Sequence, residues 1–451
     1  MNLATVILAA GQGTRMKSDL PKVLHAIAGR PMVAYVIDTA IALGDERPTL
    51  VVGYRADAVR AAVGDRVRCI DQVEQLGTGH AVVQTRSLLD GRSDVVLVLY
   101  GDTPFITGET LRAMLAAHAQ SNATITLLTF RPPDPLRYGR IVRGGSGNVI
   151  NIVEFKEATP EQRAIREVNS GILCFKADWL WAHLDRLQPH HVRDNVSELF
   201  LTDLVALAAA ERQIIATREA ATDEVTGIDD RVRLAWAERW MRDRIHERLM
   251  LSGVTIIDPA TTYIDAAAEI APDTTIYPGT HIQGATRIGR NGRIGPNAIV
   301  RDSLIGDECA VEASVVEGAT LEAHVRVGPF AHLRQGAYLE RDVECGNFAE
   351  VKNSRLGAGS KQHHFSYLGD ATLGRKVNIG AGTITCNFDG VKKHRTEIGD
   401  GAFIGSDSML VAPLRVGAGA KTGAGSVVTH DVPDGATVYG VPARPRKLDR
   451  A

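Results

Sequence analysis

Branched aliphatic residues recur at every sixth position along part of the second half of the chain. The positions are Ile264, Ile270, Ile276, Ile282, Ile288, Ile294 and Val300, and the same step returns at Ile398, Ile404, Leu410 and Val416. A step of six fits neither a helical stripe nor one long strand. It is typical of a parallel β-helix of hexapeptide repeats, in which each short strand is one side of a triangular coil. Proteins with such coils are usually acyltransferases, or they use the coil as a rigid trimerisation domain.

The first half of the chain carries a different pattern, in which strand and helix signals alternate. Residues 6–10, 49–52 and the apolar run 95–99 read as strands, and residues 32–43 read as a helix. This alternation predicts a Rossmann-like α/β domain with a mostly parallel sheet. Ligands of such a sheet lie at the carboxyl ends of its strands.

Residues 229–250 contain neither Pro nor Gly and predict a linker helix between the two halves. Gly253 can cap its end. We therefore expect an α/β domain over 1–228, the helix over 229–250, and the coil domain over 251–451.

Composition narrows the classes of function. The chain has 51 basic and 53 acidic residues, a formal net charge of −2 and no long basic run, so neither a nucleic-acid partner nor an anionic membrane is indicated. No apolar stretch approaches the roughly 18 residues of a membrane span. The five cysteines are scattered and form no Cys-x-x-Cys pair, which favours a reduced, cytoplasmic protein without a zinc site.

A Gly-rich turn follows the first predicted strand. Gly11 and Gly13 are followed by Arg15 and Lys22. Such a turn exposes backbone N–H groups to phosphates, although it is also found as a simple tight turn. The run matches neither the dinucleotide fingerprint nor the Walker P-loop. Two nearby cations indicate charge neutralisation at a triphosphate.

An acidic residue, Asp102, ends the run Tyr100-Gly101-Asp102 directly after the apolar strand 95–99. A lone Asp at a strand end is usually a helix cap or a solvated loop residue. At the ligand edge of a parallel sheet, a metal-binding role becomes more plausible.

Several motifs together resemble known enzymes. Leu-Ala-Ala-Gly-x-Gly-Thr-Arg-Met from residue 8, Pro-Lys-Val-Leu from 21, Gln-Leu-Gly-Thr-Gly-His-Ala from 75 and Tyr-Gly-Asp from 100 resemble the sugar-1-phosphate nucleotidylyltransferases. Joined to the coil, they resemble the bacterial bifunctional family that combines N-acetylglucosamine-1-phosphate uridylyltransferase with glucosamine-1-phosphate N-acetyltransferase, over essentially the whole chain. The resemblance implies a left-handed coil, a homotrimer, and synthesis of UDP-N-acetylglucosamine for peptidoglycan and lipid A.

The resemblance also implies roles in the first domain. Arg15 and Lys22 would face the triphosphate, and Asp102 would bind Mg²⁺. Gln72, Gly77 and Thr78 would read the uracil. The residues expected to hold the sugar phosphate are Tyr138, Gly139, Glu154 and Asn169. The other residues expected to hold UTP or the nucleotide sugar are Leu8, Ala9, Ala10, Gly11, Lys22, Tyr100, Gly101, Asp102 and Asp229.

Asp229 departs from the family pattern, which has Asn as the second Mg²⁺ ligand. A carboxylate is a competent oxygen ligand for Mg²⁺. The alternative is that Asp229 caps the linker helix, and it could do both.

Polar residues concentrate between Leu356 and Ile398, where the six-residue step of aliphatic residues breaks. An eleven-residue polar insertion, 387–397, lies within this stretch. Insertions in solenoids usually form the binding face. A histidine there can act as a base near neutral pH. The alternative is that the histidine is a surface residue, which is more common in such a coil. Histidine metal sites of the carbonic-anhydrase type need a His-x4-His pair. The position five after His364 is Gly369, so the sequence does not favour a metal site at these histidines.

The family resemblance assigns this stretch to acetyl transfer. His364, rather than His363, aligns with the general base, because the Tyr-Leu-Gly-Asp run from Tyr367 fixes the register. Glucosamine 1-phosphate would be held by Arg334, Lys352, Tyr367 and Asn378, and acetyl-CoA by Ala381, Asn387, Phe388, Ser406, Ala424, Gly440 and Arg444.

Three residues depart from the family pattern in this half. Gln335 replaces Pro, Phe388 replaces Tyr, and Gly440 replaces a cofactor-binding Arg, for which Arg444, Arg446 or Lys447 could substitute.

Two other functions remain open from the residues. The first is a single-activity sugar-1-phosphate nucleotidylyltransferase with a structural, trimerising coil; His364 and the 387–397 insertion speak against it. The second is a non-catalytic interaction protein, which Lys22 and Asp102 disfavour.

Overall fold

The computed structural model describes residues 2–135, 138–193 and 196–445, without the side chains of Val192, Arg193 and Val196. The chain forms two compact units, Met1–Glu238 and Arg239–Ala451. Within the described ranges, no helix combines the length and the apolar character needed to cross a membrane.

A nine-stranded sheet forms the centre of the first unit. Its main path runs through Ile215–Glu219, Ile125–Phe130, Val168–Lys176, Val95–Tyr100, Leu3–Ala9, Thr49–Val52 and Arg68–Asp71, and Arg140–Arg143 and Val149–Val153 extend it at one side. Val168–Lys176 runs antiparallel to both neighbours, while the other pairs on the main path are parallel. The mostly parallel sheet is therefore confirmed. Two short antiparallel pairs lie outside this sheet. Ala26–Ile27 pairs with Arg30–Pro31, and Pro189–Arg193 pairs with Val196–Leu199.

Helices pack on both faces of this sheet, where two separate apolar clusters form the core. The α-helices are Met32–Ala42, Ala56–Val63, Gly77–Val83, Arg86–Leu89, Gly108–Gln120, Pro160–Arg163, Ala177–His183, Asp203–Ala210 and Thr222–Val225. The short 3-10 helices are Thr14–Met16, Lys22–Leu24, Gly64–Arg66, Leu184–Arg186 and, in the second unit, Pro259–Thr261.

The predicted linker helix spans Arg231–Leu251. Its N-terminal cap is Asp230, whose Oδ1 accepts from the backbone N–H of Arg233 at 2.9 Å, so the capping role belongs to Asp230 and not to Asp229. Gly253 ends the helix in the left-handed region, at φ 98°, as expected. Val232, in the first turn of this helix, is 80% exposed.

The second unit is a coil with three faces of parallel strands, in which a strand pairs with those one turn before and after it. The last strand, Ala443–Pro445, instead forms an antiparallel hairpin with Thr437–Gly440. The first face contains Thr255–Ile256, Thr275–Ile276, Arg293–Ile294, Ala310–Val311, Arg326–Val327, Glu344–Cys345, Lys361–Gln362, Asn378–Ile379, Phe403–Ile404, Lys421–Thr422, Thr437–Gly440 and Ala443–Pro445. The second face contains Tyr263–Ile264, His281–Gln283, Ile299–Arg301, Val315–Glu317, His332–Leu333, Ala349–Lys352, Ser366–Gly369, Ile384–Cys386, Met409–Val411 and Val427–Val428. The third face contains Glu269–Ile270, Arg287–Ile288, Leu304–Ile305, Thr320–Leu321, Tyr338–Leu339, Arg355–Leu356, Ala371–Leu373, Thr396–Ile398 and Leu414–Val416.

The β-helix prediction is confirmed by this pairing and by burial. Every aliphatic residue of the six-residue series is buried, and the most exposed of them, Ile270, is only 8% exposed. The left-handed sense of the coil stays a prediction.

The aliphatic step is interrupted after Leu356 because polar Gln362 and Thr385 are buried at inward positions, while the coil itself continues through this stretch. Only the insertion after Asn387 leaves the coil, and it folds back through a bridge between Phe388 and Lys393.

Candidate active sites

A cavity of about 350 Å³ opens at the carboxyl ends of the central strands of the first unit. The residues that line it are Leu8, Ala9, Ala10, Gly11, Lys22, Val23, Gln72, Gln75, Gly77, Thr78, Ala81, Tyr100, Asp102, Glu198 and Phe200. Ten of them were predicted from the sequence. Leu8 to Gly11 come from the end of the strand Leu3–Ala9 and the turn that follows it.

The Gly-rich turn brings Lys22 to the mouth of this cavity. Gly13 lies in the left-handed region at φ 67°, and a Cβ there would stand 2.5 Å from the Cβ of Lys22, so only glycine fits. The Lys22 ammonium contacts the carboxylate of Asp102 and, at 3.2 Å, Oδ1 of Asp229. Arg15 reaches the same Asp229 oxygen at 2.9 Å. The predicted cations and carboxylates therefore form one cluster.

The electrostatics of this cluster follow from partial burial. Burial alone acts to lower the pKa of Lys22, but the carboxylates of Asp102 and Asp229 outweigh it, and the pKa of Lys22 is raised. Lys22 therefore stays an ammonium ion. Two carboxylates that converge on one cation supply hard oxygen donors of the kind that a divalent metal ion prefers.

Three predicted sugar-binding residues lie together. The backbone N–H of Asn169 donates to the carbonyl of Gly139 at 2.9 Å, and a Cβ on Gly139 would stand 3.2 Å from Oε1 of Glu154. Burial and the neighbouring Glu157 and Asp203 raise the pKa of Glu154. Tyr138, beside Gly139, packs edge-on against Phe130.

The predicted uracil contacts sit in a second turn. Gln72 is 4% exposed, and its amide donates to the carbonyl of Gly77 at 3.0 Å. The Thr78 hydroxyl accepts from the backbone N–H of Leu201 at 3.1 Å and shares a hydrogen bond with Tyr100. Gly77, at φ 94°, lies where a Cβ would clash with the carbonyl of Leu199 at 2.6 Å.

In the second unit, three predicted residues occupy successive strands or strand ends of the second face. Arg334 follows His332–Leu333, Lys352 ends Ala349–Lys352, and Tyr367 lies in Ser366–Gly369. Arg334 pairs with Glu350 at 2.9 Å. Asn378 lies on the first face instead, in register with Lys361.

The insertion adds a third cation to Arg334 and Lys352. The ammonium of Lys393, followed by the guanidinium of Arg334, lowers the pKa of Lys352, as expected for like charges at close range. The base of the insertion is fixed by Asn387, whose amide donates to Asp370 at 2.5 Å. Arg334, Lys352 and Lys393 thus form a cationic cluster on the surface of the second unit.

A corner column runs along the edge between the first and second faces, where successive turns stack. The Asp407 N–H donates to the carbonyl of Ala381 at 2.6 Å, and the Gly425 N–H to that of Ser406 at 2.8 Å, with Ala424 beside it. His364 occupies the same column one turn below Ala381, since the Gly382 N–H donates to the Phe365 carbonyl at 2.7 Å.

The two adjacent histidines differ in their contacts. His363 pairs with Glu344 through Nε2 at 2.7 Å. The His364 ring is exposed and, among the described residues, its nitrogens make no hydrogen bond. This difference supports the choice of His364 as the group free to meet a substrate.

The remaining predicted acetyl-CoA residues are spread out. Phe388 is 59% exposed on the insertion, and the buried Asn387 side chain faces Asp370 and not the corner column. Gly440 ends the strand Thr437–Gly440 at φ 100°, and Arg444 pairs with its neighbour Tyr439 in an antiparallel hairpin. Arg446 and Lys447 lie outside the described residues.

Known proteins resemble this chain over nearly its whole length. Residues 5–158 match the model of the MobA-like NTP transferase domain. The bifunctional protein GlmU of Pelobacter propionicus is 49% identical over 439 residues, with 96% of this chain and 95% of that protein covered. That of a Geobacillus species is 47% identical over 446 residues, covering 99% and 96%, and that of an Exiguobacterium species is 46% identical over 451 residues, covering 100% and 99%.

The chain belongs to the GlmU family. Among solved structures, a putative glucose-1-phosphate thymidylyltransferase from Bacillus anthracis, in complex with a sucrose, is 19% identical with a TM-score of 0.44, covering 53% of this chain and 96% of that chain.

Sequence reasoning gave no role to six residues that the fold of this GlmU family member brings to the sites. Three of them, Val23, Gln75 and Ala81, line the cavity and lie in the motifs quoted above, whereas Glu198, Phe200 and Lys393 lie outside those motifs. Glu198 and Phe200 line the cavity because the Leu199 N–H bonds to the Leu76 carbonyl and lays that segment over the second Gly-rich turn. Lys393 joins Lys352 because the insertion folds back. A cationic residue inside a polar insertion was the available signal for Lys393, whereas no local signal marks Glu198 or Phe200.

Proposed function

We propose that this protein is a bifunctional enzyme of UDP-N-acetylglucosamine synthesis. The coil domain, 251–451, would acetylate glucosamine 1-phosphate with acetyl-CoA. The domain 1–228 would then join N-acetylglucosamine 1-phosphate to UTP, with helix 229–250 between them. One observation carries the proposal, namely two separate clusters in a chain of this family, one of carboxylates around Lys22 and one of cations around Lys352.

In the uridylyl transfer, an oxygen of the sugar phosphate attacks the α-phosphorus of UTP, and pyrophosphate leaves. Phosphoryl transfer depends on alignment and charge neutralisation more than on a covalent catalyst. Lys22 and Arg15 would neutralise the triphosphate, Glu154 and Asn169 would hold the sugar, and Gln72 would read the uracil.

A divalent metal fits the donor set of the first site, and we propose Mg²⁺. Asp102 and Asp229 would hold it, because their carboxylates already converge on a cationic group, the ammonium of Lys22. When bound, such an ion supplies charge neutralisation at the phosphate oxygens.

In the acetyl transfer, the amine of glucosamine 1-phosphate attacks the thioester carbon of acetyl-CoA, and the thiol of coenzyme A leaves. His364 would take the proton from the attacking nitrogen. Arg334, Lys352 and Lys393 would hold the phosphate, since three cations there otherwise repel one another.

The other contacts of this reaction are assigned from their places on the coil. Tyr367 and Asn378 would contact the sugar. The corner column of Ala381, Ser406 and Ala424 would hold acetyl-CoA, with Phe388, Gly440 and Arg444 contributing at its ends.

We propose that the working form is a cytoplasmic homotrimer. The second face supports this, because in five of its ten strands a buried residue has a partly exposed, apolar neighbour. Those outward residues are Ile299, Val315, Ile384, Met409 and Val427. The insertion adds exposed Phe388 and Val391, at 59% and 83%. A second copy of the chain would cover these apolar groups.

Two assays on one preparation test the proposal. The wild-type protein should release coenzyme A thiol with glucosamine 1-phosphate and acetyl-CoA, and pyrophosphate with UTP and N-acetylglucosamine 1-phosphate. Asp102→Ala should abolish the second activity and leave the first within about twofold. Pyrophosphate release without thiol release in the wild type would instead favour the single-activity nucleotidylyltransferase.

A further inference from the structure

One inward position of the coil beside the candidate acetyl-transfer site holds a primary amide. On the first face, the inward residues of neighbouring turns are Cys345, Gln362, Ile379 and Ile404. Gln362 is 0% exposed and therefore takes a place that aliphatic side chains fill in the turns above it. Burial of an amide costs stability that an aliphatic residue would not cost.

The amide is tied to the turn that carries His364. Nε2 of Gln362 donates to the Ser366 hydroxyl at 2.9 Å, and that hydroxyl donates to the carbonyl of His364 at 2.9 Å. Nε2 also approaches the carbonyl of Glu350 at 3.5 Å. Ser366 is 6% exposed, so this connection runs inside the coil.

The same corner in later turns is bonded differently. There the hydroxyls of Thr383, Ser408 and Ser426 donate to the carbonyl three residues earlier, at 2.7 Å in each case. Ser366 donates to the carbonyl two residues earlier, which belongs to His364 itself. An earlier turn has the same two-residue bond, from the Ser314 hydroxyl to the carbonyl of Glu312 at 2.6 Å. The distinguishing feature of the turn at His364 is therefore the inward amide that holds its hydroxyl.

We propose that Gln362 is a positioning residue for acetyl transfer. Through the Ser366 hydroxyl it fixes the backbone of His364, and so sets where the exposed imidazole stands relative to Tyr367 and the cationic cluster. This inference rests on the proposed acetyltransferase function. Catalytic groups must be held to within a fraction of an ångström, whereas the His364 ring has no hydrogen bond of its own among the described residues.

The test separates positioning from packing. Gln362→Met replaces the amide with an apolar side chain of similar size, so the thermal midpoint of the coil should stay the same or rise. Turnover of acetyl transfer should fall by about tenfold, since small misplacements are costly, while pyrophosphate release is unchanged. Ile379→Met changes the corresponding inward position of the next turn and should keep turnover within about twofold.

A second pair of variants tests the hydroxyl independently. Ser366→Ala removes the connection and should match Gln362→Met in turnover, whereas Ser366→Thr keeps a hydroxyl and should restore most of it. Wild-type turnover in Gln362→Met, or an equal fall in Ile379→Met, would overturn the inference. If Gln362→Met does not fold, equal turnover in Ser366→Ala and Ser366→Thr would overturn it. Absence of acetyl transfer in the wild type, measured first, would contradict the proposed function instead.

Discussion

The backbone N–H of Ile228 donates a hydrogen bond to the carbonyl oxygen of Asp102 at 2.9 Å. This bond joins the end of a central strand to the segment that enters the long helix. It places Asp229, the next residue, where its carboxylate shares Lys22 with that of Asp102. Since Asp230 caps the helix, the carboxylate of Asp229 is not needed as the cap.

Asp229 should therefore govern the metal requirement of uridylyl transfer. Asp229→Ala removes one of two oxygen donors and should raise the Mg²⁺ concentration for half-maximal activity at least tenfold, whereas Asp229→Asn keeps an oxygen and should retain activity. The measurement is pyrophosphate release across a Mg²⁺ titration.

Asp230→Ala serves as the matched control for this prediction. It should lower stability by about 1 kcal/mol through the lost cap and leave the metal titration unchanged. An unchanged titration in Asp229→Ala would remove Asp229 from the site.

Periodicity was sufficient to predict the coil, because a six-residue step leaves few other structures that bury every aliphatic residue. It could not locate Lys393, whose approach to Lys352 depends on how an insertion without regular structure folds back. Nor could it separate Asp229 from Asp230 as the cap, since both are acidic and adjacent. That choice depends on which carboxylate meets the Arg233 N–H.

Lys393 should act in binding of the sugar phosphate. Lys393→Ala removes one of three cations and should raise the KM for glucosamine 1-phosphate about tenfold, with a smaller change in kcat, because the phosphate lies away from the reacting amine. Initial rates of thiol release measure both constants. Lys392→Ala, at the exposed neighbouring position, should keep the KM within about twofold. Equal effects of the two variants would assign Lys393 to general surface charge.

His118 should make the first unit less stable in mild acid. It is 3% exposed, its Nδ1 meets the Thr126 hydroxyl at 2.9 Å, and burial, with the nearby Lys176, lowers its pKa to about 4. The unfolded chain takes up this proton below about pH 6.5, while the folded protein does so only near its lower pKa. Stability is thus highest above pH 6.5 and falls by about 2 kcal/mol towards pH 5.

Tryptophan fluorescence in urea can measure this loss, because Trp179, Trp181 and Trp236 lie in the first unit. His118→Asn keeps a partner for the Thr126 hydroxyl but does not titrate in this range, so its unfolding midpoint should change less between pH 7.5 and 5. The exposed His191→Asn should behave like the wild type. Parallel pH curves for wild type and His118→Asn would contradict the assignment.

His364 should be the general base, and its site should draw on neighbouring subunits. His364→Ala should lower acetyl-transfer turnover by about 10²–10⁴-fold, the usual contribution of a base. His363→Ala is the matched control and should lower turnover far less, because His363 is already paired with Glu344.

Asn387→Ala releases the base of the insertion from Asp370, and the exposed Phe388 beside it is placed to meet a second subunit. Mixed trimers of His364→Ala and Asn387→Ala subunits should therefore regain part of the activity that each variant lacks alone. Full activity in isolated monomers would contradict the trimer. A larger loss from His363→Ala than from His364→Ala would contradict the choice of base.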